Sequence, residues 1–212
     1  MNVIAVGVGL ATLAYLMGAL PTGYLVGIWF YGVDIREEGS GSTGATNVLR
    51  TLGRLPALFV LLIDCGKGFT AVWLSVYLWQ TWSGGAPLVS NWIAAAAALC
   101  AVVGHSKSIW IGFKGGKSAA ISLGVLFALN GLVALGTLGA FLMLLSVTRI
   151  VSVGSMTGAI TSAALMIGLG QPLPYICFGI VAAIYVLFRH QSNIARLLAG
   201  TEPRIGQAHS VS

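Results

Sequence analysis

Long stretches without a charged side chain alternate along this chain with short polar runs. Residues 1–33, 68–106, 118–148 and 150–188 contain no Asp, Glu, Lys or Arg. A membrane-crossing helix needs about 20 apolar residues, so each stretch holds one or two. The first predicts one long helix from Val3 to Tyr31, with Pro21 and Gly23 as kinking residues near its end. Leu55 to Trp82 predicts the second, stopped by Ser83-Gly84-Gly85-Ala86-Pro87, and Asn91 to Gly104 its return. Residues 150–188 read as two helices around Gly170-Gln171-Pro172-Leu173-Pro174, and 118–148 as one long helix or two short ones broken near Asn130-Gly131.

The placement of charge chooses between these. Trp79, Trp82 and Trp92 flank an uncharged turn, as aromatic residues do at a membrane interface, whereas Arg50, Arg54, Lys107, Lys114, Lys117 and Arg149 sit on polar runs. Cations collect on the cytoplasmic face, which favours two short helices in 118–148. The expectation is an all-α integral membrane protein of about seven transmembrane helices, N-terminus out and C-terminus cytoplasmic. Residues 1–212 form one membrane domain that ends in a short, mobile polar tail over 199–212. The start lacks a basic region, so no cleaved signal peptide is expected. No internal repeat is evident, and with it the inverted-repeat signature of many transporters is missing.

Composition agrees: of 212 residues 57% are hydrophobic and 8% charged, against about 25% charged in soluble domains. Cys65, Cys100 and Cys177 lie in or beside apolar runs and read as small core residues. The acids are Asp34, Glu37, Glu38, Asp64 and Glu202, and no two of the three histidines are close in sequence, so no metal or other cofactor is expected. Nothing points to nucleic acid.

The polar runs carry the candidate chemistry. Gly39-Ser40-Gly41-Ser42-Thr43-Gly44-Ala45-Thr46-Asn47-Val48-Leu49-Arg50 reads as a flexible linker or as a phosphate cradle. In the second case glycines expose backbone N–H groups as an anion nest. Ser42 or Thr43 caps a short helix that Gly53 stops, with Thr46, Asn47 and Arg50 on one face. In Gly104-His105-Ser106-Lys107-Ser108-Ile109-Trp110-Ile111-Gly112-Phe113-Lys114-Gly115-Gly116-Lys117-Ser118, the Gly-Lys-Ser end invites a nucleotide P-loop. That motif needs glycine where Ile111 stands, and no strand pattern precedes it. What remains is an anion site of Lys114, Gly115, Gly116 and Lys117 ahead of a helix, or a basic loop resting on lipid head groups.

Asp64 and Lys67, three apart in an apolar run, form either a structural ion pair or part of a site. Thr148, Arg149, Ser152 and Ser155 fit one helical stripe, although serines also pack membrane helices. His190, Asn193 and Arg196 recur at intervals of three.

The runs GSGSTGATNVLRTLG, DCGKG, GHSKSIWIGFKGGKS, TRIVSVGS and RHQSNIARLLAGTEPRIG together resemble the PlsY family of bacterial acyl-phosphate:glycerol-3-phosphate acyltransferases, in order, over about residues 18–206. The resemblance implies a multi-pass enzyme of the bacterial inner membrane. Its active site faces the cytoplasm and makes lysophosphatidic acid from acyl phosphate and glycerol 3-phosphate. It also implies phosphate recognition by the glycine run and the lysine loop. The substrate-binding set expected is Ser40, Ser42, Thr46, Asn47, Arg50, Lys67, His105, Lys114, Gly115, Gly116, Lys117, Arg149, Ser152 and Arg196, with His190 and Asn193 catalytic. The family usually has glycine at Ser118, asparagine and a small residue at Ser42-Thr43, and Phe-Pro at Ser106-Lys107. The chemistry fits the residues: phosphate leaves an acyl phosphate readily, and no Ser-His-Asp order or reactive cysteine is present to act as nucleophile. Two groups are candidates for the base, His190 and the donor's own phosphate. The alternative from another class is a transporter or channel for phosphate-bearing metabolites.

Overall fold

The computed structural model describes residues 3–83 and 86–206. Gly84 and Gly85 of the expected turn, and residues 207–212 of the tail, lie outside the described residues. The described chain is helical: α1 (Val3–Ala19), α2 (Thr22–Val26), α3 (Ala45–Thr51), α4 (Arg54–Ser83), α5 (Pro87–Ser106), α6 (Ala119–Leu129), α7 (Gly131–Thr148), α8 (Val151–Gly168), α9 (Leu173–Arg189) and α10 (Gln191–Leu198).

The first span breaks where the sequence places proline. Pro21 has no N–H to continue the helix, α1 ends at Ala19, and α2 resumes into one π-helical turn over Gly27–Tyr31. The break frees the Leu20 carbonyl, and Lys67 Nζ on α4 donates to it at 2.7 Å. Stretch 118–148 is two helices. Asn130 separates them and its side chain accepts from Val133 N at 3.0 Å, capping α7.

Among the described residues, five helical segments are long and apolar enough to cross a membrane: Val3–Tyr31, Arg54–Trp82, Pro87–Ile111, α7 and α8. The α9–α10 pair, bent by 57°, would make a sixth. With 11 residues, α6 is too short to span a hydrocarbon core of about 30 Å on its own. Large apolar side chains such as Leu55, Val147 and Ile184 face outward, as they do towards lipid. Small residues bring helices close: a Cβ on Gly18 would lie 2.2 Å from the Ala101 carbonyl oxygen, and one on Gly104 2.3 Å from that of Tyr15. This joins α1 to α5. The core lies between α4, α5, α6 and α9, around Ile121, Val125, Ala98, Val102 and Phe178. The three cysteines are free and half-buried.

Two expectations are corrected. α3 begins at Ala45 with Gly44 as its extended N-cap, and neither Ser42 nor Thr43 caps it. Ser42 Oγ accepts from Gly44 N instead (3.3 Å), while a left-handed Gly53 follows α3 as anticipated. Nor is 199–206 a loose tail. Ile205 N donates to Arg149 O at 2.8 Å, and Glu202 is buried.

Candidate functional site

One cavity gathers most of the polar candidates at its mouth. Ser40, Ser42, Thr46, Asn47, Arg50, His105, Lys117, Ser152, His190 and Asn193 line it. They come from the glycine run, the end of α5, the lysine loop, the start of α8 and the α9–α10 bend. Below them the walls turn apolar between α6, α7, α8 and α9.

The glycine run is ordered by Asn47. Its Oδ1 accepts from Ser40 N (2.8 Å) and Ser40 Oγ (3.2 Å), and its Nδ2 donates to the carbonyls of Ile35 (2.8 Å) and Glu38 (3.1 Å). With Gly41 N bound to Glu38 O and Gly44 N to Ser42, these backbone amides are taken internally. The amides of Ser40, Gly41 and Gly44 are therefore not free to bind an anion. α3 serves to project Arg50.

In the lysine loop, Gly115 and Gly116 lie flush on His105. A Cβ on Gly116 would sit 2.1 Å from His105 Nε2, and one on Gly115 2.3 Å from His105 O. Gly116 N donates to that carbonyl (3.2 Å), and Arg189 Nη2 donates to Gly116 O (3.2 Å). The loop turns at Ser118, which holds φ of 66°, a value glycine adopts more easily; its hydroxyl donates to Val102 O at 2.8 Å. This conformation explains the glycine the family prefers there. At a second departure, Ser106 Oγ hydrogen-bonds the Tyr185 hydroxyl.

Glu202, absent from the sequence-derived set, is the hub. Its carboxylate accepts from Ser152 Oγ (2.9 Å), Asn193 Nδ2 (2.7 Å) and Arg196 Nε (2.7 Å), and Arg50 Nη2 lies 3.7 Å away. Burial raises its pKa, but the hydrogen bonds from Asn193, Ser152 and Arg196 outweigh burial and hold it below the ordinary carboxylate value. Asn193 Oδ1 in turn accepts from Lys117 Nζ. Burial pushes Lys117 down to about 8, helped by Arg196, Arg50 and Arg189 and opposed by Glu202. Arg196 and Arg50 thus meet one carboxylate directly, and Lys117 reaches it through Asn193. Buried Nη2 of Arg196 and Nε of Arg189 have no hydrogen-bond acceptor.

His190 sits at the α9–α10 bend, 3% exposed. Its Nδ1 lies 2.7 Å from Val186 O; a carbonyl can only accept, so Nδ1 carries the hydrogen and a neutral ring presents Nε2 as an acceptor.

The remaining candidates fall elsewhere. Lys114 is exposed, and neither it nor Arg149 lines the cavity. Arg149 is the left-handed residue between α7 and α8, so Thr148 and Arg149 do not share a helix with Ser152 and Ser155 as the stripe required. Lys67 is buried and off the cavity, 2.8 Å from Asp64 Oδ1, whereas Asp64 itself lines the cavity and lies 3.7 Å from His105 Nδ1.

Comparison with known proteins bears on the whole chain. Residues 8–200 match the glycerol-3-phosphate acyltransferase family. A glycerol-3-phosphate acyltransferase of Trichodesmium erythraeum is 56% identical over 204 residues, covering 92% of this chain and 90% of the relative. One of Synechococcus elongatus is 55% identical over 205 residues, covering 97% of each. Among solved structures, the glycerol 3-phosphate form of PlsY, an integral membrane glycerol 3-phosphate acyltransferase, superposes with a TM-score of 0.85. It is 34% identical and covers 94% of this chain and 96% of that one. The lysophosphatidic acid form of PlsY superposes with a TM-score of 0.81 at the same identity. This chain is an acyltransferase, a member of the glycerol-3-phosphate acyltransferase family.

Proposed function

We propose that the chain transfers a fatty acyl group from acyl phosphate to the 1-hydroxyl of glycerol 3-phosphate, releasing lysophosphatidic acid and phosphate. The observation that carries this is the mouth of the cavity: Arg50 and Lys117 line it above an apolar shaft, and Arg50 is set by the Glu202 carboxylate that Arg196 also holds. An excess of half-buried cations calls for a dianion, and the shaft for an alkyl chain. Both solved PlsY forms hold glycerol 3-phosphate or lysophosphatidic acid, which supports this acceptor and product here. The transporter reading loses its support, since the shaft runs into apolar packing around Val133 and Met166.

In the reaction the acceptor's O1 attacks the acyl carbonyl carbon, the bond from that carbon to the phosphate oxygen breaks, and phosphate departs. Arg50 and Lys117 hold phosphate oxygens and take up the charge that develops on the leaving group. The proton of the 1-hydroxyl goes to the donor's phosphate, whose second pKa is about 6 by analogy with phosphomonoesters. His190 Nε2 accepts from the acceptor's 2-hydroxyl and positions it, beside Asn193. The substrate-facing loops lie on the cytoplasmic face of the bacterial inner membrane, N-terminus outside, and the chain is one membrane domain.

Purified protein given acyl phosphate and glycerol 3-phosphate should form lysophosphatidic acid and phosphate in equal amounts; no product would sink the reading. His190→Gln should raise KM for glycerol 3-phosphate and leave the acid limb of the pH profile in place. A loss of about 10²–10⁴-fold together with loss of that limb would make His190 the base. For the orientation, a cysteine at the exposed Gln191 should label only from the cytoplasm and one at the exposed Thr81 only from outside.

A further inference from the structure

The shaft below the site has a floor. Along α8 the cavity is lined by Ser152, Ser155, Gly158, Ala159 and Ser162. Ten residues of unbroken helix separate the first from the last, about 15 Å. Along α9 it runs from His190 to Phe178, about 18 Å by the same rise. The deepest lining residue on each wall is Leu126 of α6, Thr137 of α7, Ser162 of α8 and Phe178 of α9, one per helix.

One turn further on lie Val133, Met166 and Pro174. All three are buried and none lines the cavity. The seams beside the floor are closed as well. A Cβ on Gly158 would touch Thr137 Cγ2 and O at 3.5 Å, which puts α7 against α8 at this level. A Cβ on Gly179 would lie 3.3 Å from Met166 Cγ and 3.4 Å from Ala163 Cα, which closes α8 against α9 behind Phe178.

From this geometry we propose that Leu126, Thr137, Ser162 and Phe178 form the stop for the methyl end of the acyl chain and set which chain length the enzyme transfers. The inference rests on reading the shaft as the acyl site. A chain too long for the distance from carbonyl to floor lifts its carbonyl out of reach of the acceptor hydroxyl. A shorter one leaves void that packed walls do not fill. In a closed apolar pocket each methylene is worth roughly 10- to 200-fold in discrimination. Thr137 Oγ1 is buried with no hydrogen-bond partner, so both polarity and size at the floor need to be varied.

The full chain in detergent or reconstituted vesicles, given a mixture of saturated acyl phosphates from short to long, reports the length profile by mass spectrometry of the lysophosphatidic acids. Phe178→Ala should move the optimum to longer chains. Ser162→Leu and Thr137→Leu should move it to shorter ones, with discrimination against the wild-type optimum of about tenfold or more. Thr137→Val, equal in size, should leave the optimum in place. If Phe178→Ala fails to fold, the two enlarging variants decide. An unchanged profile in folded variants would mean that the tail leaves between helices, and would overturn the proposal. If the wild-type enzyme rejects acyl phosphates but uses another acyl donor, the donor reading falls. The same length series on that donor still tests the floor.

Discussion

Two groups of buried charge lie within this small bundle, and they differ in balance. Asp64 and Lys67 sit one helical turn apart on α4, 2.8 Å from each other, with Lys67 also donating to the Leu20 carbonyl at the proline break. One charge cancels the other. Around the cavity mouth Arg50, Arg196 and, through Asn193, Lys117 share the Glu202 carboxylate. The first group balances its charge within the fold; the second is left short of negative charge. An ionisable residue inside a membrane bundle is a suspect by default, and the balance sheet of its neighbours separates architecture from recognition.

The comparison breaks most visibly if its first half is disturbed. Asp64→Ala leaves Lys67 as an uncompensated buried charge, which should cost about 3–5 kcal/mol of stability. Thermal unfolding in detergent would show it, and adding Lys67→Met should restore most of the loss. Asp64 lines the cavity, so a stable but inactive Asp64→Ala protein would give it a role in the reaction beyond its pairing with Lys67.

The second half predicts the opposite pattern. Arg50→Lys keeps the charge but loses the paired guanidinium donors. Loss of one charged hydrogen bond is worth about 1.5–3 kcal/mol, so turnover should drop roughly 10- to 100-fold with little change in the unfolding temperature. An Arg50→Lys enzyme with full turnover would remove Arg50 from the clamp.

pH sharpens the contrast. Lys117 loses its proton near 8 in the folded protein, against 10.5 when unperturbed. Between those values the unfolded chain binds more protons, so this residue makes stability rise with pH. Over the same window the clamp loses a charge, so KM for the phosphate-bearing substrate should rise as pH passes 8. The two trends run in opposite directions, and Lys117→Arg should abolish both. The smallest effect belongs to Lys114→Ala. Its side chain is exposed and outside the cavity, and turnover should stay within about twofold, as for most surface changes.

Sequence made the spans legible because hydropathy is a local property. Pro21, Asn130 and the turn before Leu173 mark breaks through their own backbone chemistry. Arg50, Lys117 and the His190–Asn193 pair were also readable, since phosphate chemistry restricts which residues can serve. Lys114 and Lys117 were not separable. They stand three apart on one loop, and only the left-handed turns at Gly112 and Phe113 and the seating of Gly116 on His105 turn one inward and leave the other outside. Glu202 escaped notice because its partners come from α3, α8 and α10, and proximity of that kind has no signature in spacing. A polar tail of ordinary composition gives no hint that one residue of it is buried.

Asn193 connects the two signs of charge in that hub, and it does so by direction. Its carbonyl end faces the Lys117 ammonium and its amino end faces the Glu202 carboxylate. Aspartate has nearly the same outline but two acceptor ends; it would suit Lys117, set two carboxylates against each other, and cancel part of the positive charge that the mouth presents. At this position the amide works like a keyed plug, fitting only one way round, and a side chain that matches it in shape alone does not complete the circuit.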